Sequence, residues 1–411
     1  VLAPRDPMRL IISFAALFLS VMLLQLSTGG VGPLDVLSGT LLGFTNGQIG
    51  LLGSAHFAGF FIGCWWAPRL MGEVGHSRAF AAFTAMGAIG LLAHMMVVDP
   101  YAWALMRAAS GFCVAGCYTV IEAWLQAKTD NANRGRTMGT YRMVDTGGSL
   151  IAQLMIGVLE PAAYVSYNLL ALLCCAALLP LTLTRLPQPE TGLAPRLRLG
   201  LAWGLSPLAV VGVVVSGVSG ASFRMVGPLY GTQVGLSADQ IGLFLAAYVL
   251  GGAFAQWPAG WLADRYDRRH VLVWFSVASI LSCGITVALS GFGVWGVFLA
   301  ALVFGAATFP IYSIAAAHAH DWAEDAQRVE LSAALMFAYA LGAIAAPVST
   351  SGLISYFGPS ALFVFVALAH VGLLIFGLIR MRHRPPADQR GPYVWIPRTS
   401  FLVGRIFRRP R

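Results

Sequence analysis

Charged residues are scarce in this sequence. Only 10% of its 411 residues are Asp, Glu, Lys or Arg, whereas 58% are hydrophobic. A soluble globular domain has roughly a quarter charged residues. The composition therefore excludes an ordinary soluble protein and predicts a polytopic membrane protein.

Positive charge is missing from one set of loops. Of the 26 Lys and Arg residues, 23 lie in alternate loops or at the termini. The loops between them contain none, and these surround Asp35, Asp99, Glu160, Asp239, Gly291 and Tyr356. Because basic loops stay in the cytoplasm, we predict a multi-pass protein of a bacterial inner (plasma) membrane with both termini cytoplasmic. The net charge of +9 thus reflects orientation in a lipid bilayer, and no nucleic-acid partner is expected.

The sequence also lacks the residue series that several enzyme classes need. It has no nucleotide-binding loop, no metal-ligand series and no nucleophile–base constellation, so an ATP-driven pump or a membrane enzyme is not expected, and no cofactor is. The six Cys residues all lie in apolar runs, away from outer loops where disulfides would form. Cys113 and Cys117 share a helix face and could hold a soft metal, but packing is the favoured interpretation.

Apolar runs of about 20 residues, the length of a membrane-spanning helix, recur twelve times. The first run, Leu10–Leu26, is interpreted as a span and not as a signal peptide. The predicted spans are 10–30, 47–69, 78–97, 101–126, 137–158, 162–184, 206–230, 238–262, 270–290, 294–318, 329–354 and 360–380. A polar, Pro-rich linker divides them, which predicts a six-helix half at 1–184, a cytoplasmic linker at 185–205, a second half at 206–380 and a basic tail at 381–411.

Short motifs repeat between the two halves at nearly one offset. The pairs are Val31–Leu34 with Val226–Leu229, just after the first predicted helix, Gln48–Leu51 with Gln240–Leu243, and Arg136 with Arg328. Three matches in order indicate a duplicated six-helix unit. Parallel repeats of this kind place a substrate site near the midplane between the halves.

A charged turn at Gly260–His270 carries a resemblance to a known family. Twelve spans with such a turn between the second and third helix of a half resemble the major facilitator superfamily. The residues that match its turn motif are Gly260, Asp264, Arg265, Arg268 and Arg269, while Asp267 stands where Gly is usual. The resemblance implies an all-α major facilitator fold of 12 transmembrane helices in two six-helix halves.

The first-half counterpart of this turn is less complete. It keeps Gly75 and the closing Arg78, but Gly72 stands where Asp264 stands in the second copy. Asp264 could cap a neighbouring helix or pair with an Arg and so hold the cytoplasmic side shut. The alternative is a tight turn whose Arg residues only fix orientation. The first-half latch is expected to be weaker or built differently, for instance with Glu73.

Other motifs refine the resemblance. Arg107, Gly111 and Gly116 are similar to the superfamily's helix-4 motif, whereas helix 5 lacks the Gly-Pro pair of its antiporter signature. The YcaD-like branch is indicated by Ile121–Leu125, Asn133–Arg136, Gln153 and Gln256–Pro258. The family implies a monomeric secondary transporter that works by alternating access, usually with protons as the coupling ion.

Ionisable residues inside spans are costly and therefore functional candidates. Glu122 is predicted to pair with Arg142, or Arg142 with Asp145 three residues along the same helix. Such pairs could serve coupling or gating, or could be purely structural. Arg107 is the better candidate for proton coupling or anion binding, because nothing acidic lies near it in sequence.

Two further residues could face the cavity. Arg224 lies in a Gly/Ser-rich stretch of the seventh span, and together with Arg107 it would favour a small-molecule substrate with an anionic group. His56 could titrate near neutral pH in the cavity or be a buried, hydrogen-bonded histidine.

The sequence thus predicts a proton-coupled transporter of a small organic solute. The alternative from another class is a membrane assembly factor or sensor that keeps this fold without transporting. The incomplete first-half turn and the Arg-rich tail favour that alternative, while the charges retained inside the spans favour transport.

Overall fold

The computed structural model describes residues 7–129, 134–183, 197–289, 291–324 and 326–383, together with 391 and 393. All regular secondary structure in these ranges is helical. The helices of the first half are α1 (Pro7–Leu41), α2 (Asn46–Val74), α3 (His76–His94), α4 (Pro100–Lys128), α5 (Arg134–Leu154), α6 (Tyr164–Ala176) and α7 (Leu178–Thr182). Those that follow are α8 (Leu199–Leu205), α9 (Pro207–Gln233), α10 (Ala238–Arg265), α11 (Arg268–Leu289), α12 (Gly293–Thr308), α13 (Pro310–His320), α14 (Arg328–Phe357) and α15 (Ala361–His383). Each predicted span corresponds to one helix or to a consecutive pair, α6 with α7 and α12 with α13, which confirms the all-α fold class.

Ten helical segments of the described chain are long and apolar enough to cross a membrane. The two long helices outside that set are α3 and α5. Helix α5 includes Arg134, Arg136, Arg142 and Asp145, which lower its mean hydropathy. A helix of this kind can lie within the bilayer when its charges face the protein interior.

The second helix of each half begins with the same cap. Thr45 accepts a hydrogen bond from the backbone N–H of Gln48, whose side chain returns to the backbone of Thr45. Ser237 and Gln240 form the same capping box at the start of α10. This reciprocal pairing satisfies amide groups at the helix start, so the repeated Gln in the sequence reflects a repeated helix cap.

Glycines bring the second and fourth helices of each half together. A Cβ built on Gly59 would lie 1.8 Å from the carbonyl oxygen of Ala108, and one on Gly251 would lie 1.9 Å from that of Leu302. Gly111 and Gly305 make the reciprocal approaches from α4 and α12. Small residues allow membrane helices to pack at backbone contact. The two halves therefore use one packing scheme.

One predicted helix end is wrong. Val31–Leu34 was expected to follow the first predicted span, 10–30, but it lies inside α1, as Val226–Leu229 lies inside α9. Pro33 and Pro228 are accommodated within these helices, as happens where neighbouring helices compensate for the lost backbone bond. As a consequence Asp35, predicted in an outer loop, is a buried residue of α1.

The predicted division into halves, linker and tail stays a prediction. Helix α8 occupies the end of the proposed linker, whereas residues 184–196 and most of the tail, including 400–409, lie outside the described residues. The inner end of the bundle is defined as the end that carries the turn Gly260–His270. The outer end is the opposite one.

The halves touch each other at the outer end. Helix α2 packs on α14, where the backbone N–H of Val348 donates to the Ser54 hydroxyl at 3.2 Å. Helix α10 packs on the end of α5, where a Cβ on Gly242 would lie 2.6 Å from the carbonyl oxygen of Gln153. The next turn of that seam brings Gly157 against Asp239. These contacts cover the outer side of a cavity between the halves.

Candidate functional site

A cavity of about 200 Å³ lies between the two halves. Its walls come from α1, α2, α4 and α5 on one side and from α9, α10, α14 and Phe309, between α12 and α13, on the other. Residues of both halves line it, and the internal repeat predicts a substrate site between the halves. The two walls differ in chemistry.

The first-half wall is polar and centred on Asp145. Its Oδ1 atom accepts hydrogen bonds from the Gln25 amide and the Tyr118 hydroxyl, each at 2.7 Å. Its Oδ2 atom accepts from Arg142 at 3.1 Å. A carboxylate with three donors is well stabilised in a semi-apolar site. Asp145 is therefore already occupied by protein groups on this wall.

Arg142 is shared between two carboxylates. Besides Asp145, it lies 3.6 Å from Oε1 of Glu122, a side chain that is fully buried. The Tyr141 hydroxyl donates to the same Glu122 oxygen at 3.0 Å. The structure thus contains both pairs that the sequence proposed as alternatives. Two carboxylates therefore share one guanidinium.

The second-half wall is apolar and aromatic. It is formed by Leu245, Tyr248, Phe309 and Tyr339. The single cation on this wall is Arg224, which is exposed to the cavity and whose guanidinium lies 5.6 Å from the centre of the Phe309 ring. Among the described residues Arg224 has no acidic partner within salt-bridge distance.

Arg107, by contrast, is paired. Its Nε atom lies 3.4 Å from Oδ2 of Asp35, and both side chains are 1% exposed. Nε2 of His94 lies 3.6 Å from the same oxygen, and the Tyr167 hydroxyl donates to Oδ1 at 2.9 Å. No acidic residue lies near Arg107 in sequence, but Asp35 approaches it from another helix, so Arg107 is not one of two unpaired cations at the cavity.

The tautomer of His94 in this cluster follows from its hydrogen bond. Its Nδ1 atom lies 2.6 Å from the carbonyl oxygen of Gly90. A carbonyl can only accept, so Nδ1 carries the hydrogen. Nε2 is then the ring nitrogen without a hydrogen, and it faces Oδ2 of Asp35.

The buried cluster lies directly behind the cavity. Nη2 of Arg107 is 3.8 Å from the sulfur of Met225, and a Cβ on Gly32 would lie 3.6 Å from that nitrogen. Both Met225 and Gly32 line the cavity. A change in cavity occupancy can therefore reach Arg107 through one layer of atoms.

His56 also lines the cavity. Its side chain is 8% exposed, and its Nδ1 atom has no hydrogen-bond partner among the described residues. The ring contacts Phe57 edge to face at 5.4 Å. The unpaired Nδ1 atom is itself buried, so it is not exposed to the cavity in this conformation.

The charged turn of the second half is held by a buried ion pair that sequence reasoning missed. Arg268 donates to Asp321 at 2.6 Å, and both side chains are 2% exposed. Arg268 also donates to the carbonyl oxygen of Ala317 at 3.0 Å. Asp264 is half exposed and lies 3.6 Å from Arg268. Arg268 is thus the residue that ties α11 to the end of α13.

The other residues of this turn are paired locally. Arg269 contacts Asp267 at 2.5 Å, and Arg265 lies over the ring of Trp261 at 5.5 Å. Burial raises the pKa of Asp267, but hydrogen bonds from Arg269 outweigh burial, so that the pKa lies below its ordinary value. Gly260 packs against the ring of Tyr393.

The first-half turn is built differently. Glu73 and Arg78 are exposed, and neither forms an ion pair within the described part of the chain. Gly72 has no neighbouring side chain near the position that a Cβ would occupy. In this conformation the structure therefore contains no Glu73 latch among the residues described.

Comparison with known proteins agrees with the architecture. The Major Facilitator Superfamily pattern matches residues 14–205 and again 208–411. An uncharacterized MFS-type transporter of Enterobacter sp. (strain 638) is 31% identical over 335 residues, 80% of this chain and 85% of the relative. The uncharacterized MFS-type transporter YcaD of Escherichia fergusonii is 26% identical over 345 residues, 82% of this chain and 87% of the relative.

Two solved structures share the fold. The nucleoside transporter NupG has a TM-score of 0.72 at 17% identity and covers 90% of this chain and 98% of its own. A bacterial homologue of the human lysosomal transporter Spinster, in an inward-facing and occupied conformation, has a TM-score of 0.69 at 16% identity and covers 91% and 96%. At these identities the likeness concerns the fold alone.

Proposed function

Because this chain belongs to the major facilitator superfamily, with YcaD among its relatives, it is a membrane transporter and not an enzyme, and we propose that it moves a small organic anion by proton-coupled alternating access. The observation that carries the proposal is the central cavity, which has titratable groups on one wall and a lone cation on the other. The proposed location is a bacterial inner membrane with cytoplasmic termini, supported by the distribution of Arg residues between loops.

The contacts between the halves support alternating access. The outer ends of α5 and α10 are in contact at Gln153 and Gly242. Toward the inner end of α5, Gly139 has no atom of the described residues within 4 Å of its Cβ position. This combination is what an inward-facing state requires. Rocking of the halves would separate α5 from α10 at the outer end and bring these helices together at the inner end.

The cluster around Asp35 is the proposed coupling site. In the ionised state Asp35 neutralises Arg107, and a proton on Asp35 or His94 changes the charge balance next to Met225 and the cavity. A buried cation that loses its partner has to be compensated. A substrate anion in the cavity can supply that compensation, which links protonation to substrate binding. The Glu122–Arg142–Asp145 group supports a second protonation site.

Arg224 is the proposed anion contact. It is a cation inside a span, it faces the cavity, and its described surroundings contain no carboxylate partner. Arg recognises carboxylates with charge-assisted hydrogen bonds. The rings of Tyr248, Phe309 and Tyr339 favour a substrate that also has a flat apolar part. Since Arg107 is paired, this proposal rests on Arg224 alone and not on two free cations.

Proteoliposomes that contain a pH-sensitive dye test the proposal. Candidate organic anions, beginning with benzoate, are added outside, and proton movement is recorded for the native protein and for Asp35→Asn. We expect coupled proton flux with the native protein, and loss of that flux with retained counterflow of bound substrate in Asp35→Asn. Glu160→Gln, a change of an exposed acid at the outer end, is the matched control.

A broad panel that produced neither flux nor thermal stabilisation would refute this function. It would then favour the assembly factor or sensor. Equal loss of flux in Glu160→Gln would show that the assay does not isolate Asp35.

A further inference from the structure

Beyond α15, the chain lies against the charged turn at Gly391 and Tyr393. Gly391 accepts a hydrogen bond from Arg268 through its carbonyl oxygen. Its backbone N–H donates to Oδ1 of Asp321 at 3.0 Å. Gly391 thus binds to both members of the buried ion pair at the inner end of the second half.

Tyr393 is fixed at three points on α10. Its backbone N–H donates to Asp264 at 2.7 Å, and its hydroxyl donates to Gln256 at 2.8 Å. Its ring lies on Gly260, where a Cβ would be only 2.8 Å from a ring carbon. The glycine of the turn motif therefore provides the space that this ring occupies.

The face of α10 on which Tyr393 lies is the face that meets the other half. Gly242 and Gly260 are eighteen residues apart, which is five turns at 3.6 residues per turn, so they lie on one line along the helix. At Gly242 this line contacts α5 through the carbonyl oxygen of Gln153. At Gly260 the same line contacts Tyr393 instead.

Helix α5 runs antiparallel to α10, and at Gly139 its inner part has open space beside it. Gly139 lies fourteen residues before Gln153, within about 40° of the same helix face. The position of its Cβ has no described atom within 4 Å. The seam between α5 and α10 is therefore closed at the outer end, while Tyr393 lies on the α10 side of it at the inner end.

We propose that Tyr393, anchored by Gly391, is an intramolecular wedge that keeps the inner end open and has to leave before α5 and α10 can close there. A segment that binds one conformation more tightly than the other raises the population of the conformation that it prefers. The size of the increase is set by the difference between the two affinities. Asp264 and Gln256, which anchor the wedge, become available to α5 only when it is released. Gly391 and Tyr393 thereby set the resting position of the transport cycle.

Spin-label distances in nanodiscs test the wedge without any substrate. Labels at Gly139→Cys and Arg265→Cys, both at exposed positions, report the inner gap, in a background that carries Cys175→Ser because Cys175 is the exposed cysteine. We expect Tyr393→Ala to raise the population with a short inner distance about fivefold, since it loses the ring and one hydrogen bond. Tyr393→Phe keeps the ring and should give a smaller increase.

Tyr356→Ala is the control, because Tyr356 is an 85% exposed tyrosine at the outer end. A distance distribution for Tyr393→Ala that matches the unaltered protein would overturn the wedge, and so would an equal shift in Tyr356→Ala. The wedge rests on alternating access, yet the two proposals can fail separately. A distance shift without any proton flux would uphold the wedge and count against the proposed transport.

Discussion

Replacement of Asp35 by Asn tests the buried cluster directly. Arg107 would keep its charge at a site that is 1% exposed, but its ionic partner at 3.4 Å would be neutral. Removal of one member of a buried ion pair costs about 3–5 kcal/mol. Arg107→Gln leaves Asp35 without its ionic partner in turn, but Asp35 keeps the hydrogen bond from the Tyr167 hydroxyl at 2.9 Å. We therefore expect Asp35→Asn to be the more damaging single change.

The double variant Asp35→Asn with Arg107→Gln has neither buried charge. It should be more stable than the sum of the single changes predicts, by at least about 1 kcal/mol. Thermal unfolding of the four proteins in one detergent, followed by Trp fluorescence, provides the double-mutant cycle. Glu160→Gln should lie within about 0.5 kcal/mol of the native protein.

Additivity would refute the reasoning. If the losses in the two single variants simply summed in the double variant, Asp35 and Arg107 would not interact, and the proposed link between protonation and the cavity would have no physical basis. An increase in stability for Asp35→Asn alone would contradict it equally.

Three further predictions concern other parts of the molecule. Arg224→Gln should weaken benzoate binding about tenfold, because a charge-assisted hydrogen bond is lost, and should leave benzamide binding unchanged. Calorimetric titration measures both affinities, with Arg69→Gln as the control. Asp264→Asn should lower transport by a factor of up to about five, since a half-exposed ion pair contributes up to about 1 kcal/mol. Glu73→Gln should have a smaller effect. Equal effects of the two changes in uptake assays would contradict the expectation that the latch of the first half is weaker than that of the second. The pKa of Asp267 is lower in the folded protein, so its stabilising contribution is present above the unfolded pKa of about 3.9 and is lost as pH falls through the folded pKa. Asp267→Asn should therefore lower the unfolding temperature at pH 7 and make progressively less difference below about pH 4; a constant difference in a pH series would contradict this.

Much of the architecture follows from the sequence because the rules that govern it are local. A bilayer requires long apolar helices, and Arg residues sort the loops, so the spans could be read from composition along the chain. The Gln residues at positions 48 and 240 each belong to a capping box at the start of a helix, which explains why this residue is repeated. The contact between Arg142 and Asp145 was also predictable, since residues three apart share a helix face.

The sequence by itself determined a twelve-span transporter fold and the approximate position of its cavity, whereas the partners of its buried charges were decided by tertiary structure. The first predicted span ended at residue 30, but in the packed bundle α1 continues to Leu41 and places Asp35 beside Arg107. The return of Tyr393 to Gly260 likewise joins residues that are far apart in the chain. Such contacts depend on which helices pack together and in which register. A periodic pattern specifies the face that a helix buries, but the neighbour that covers that face is selected only when the whole bundle assembles.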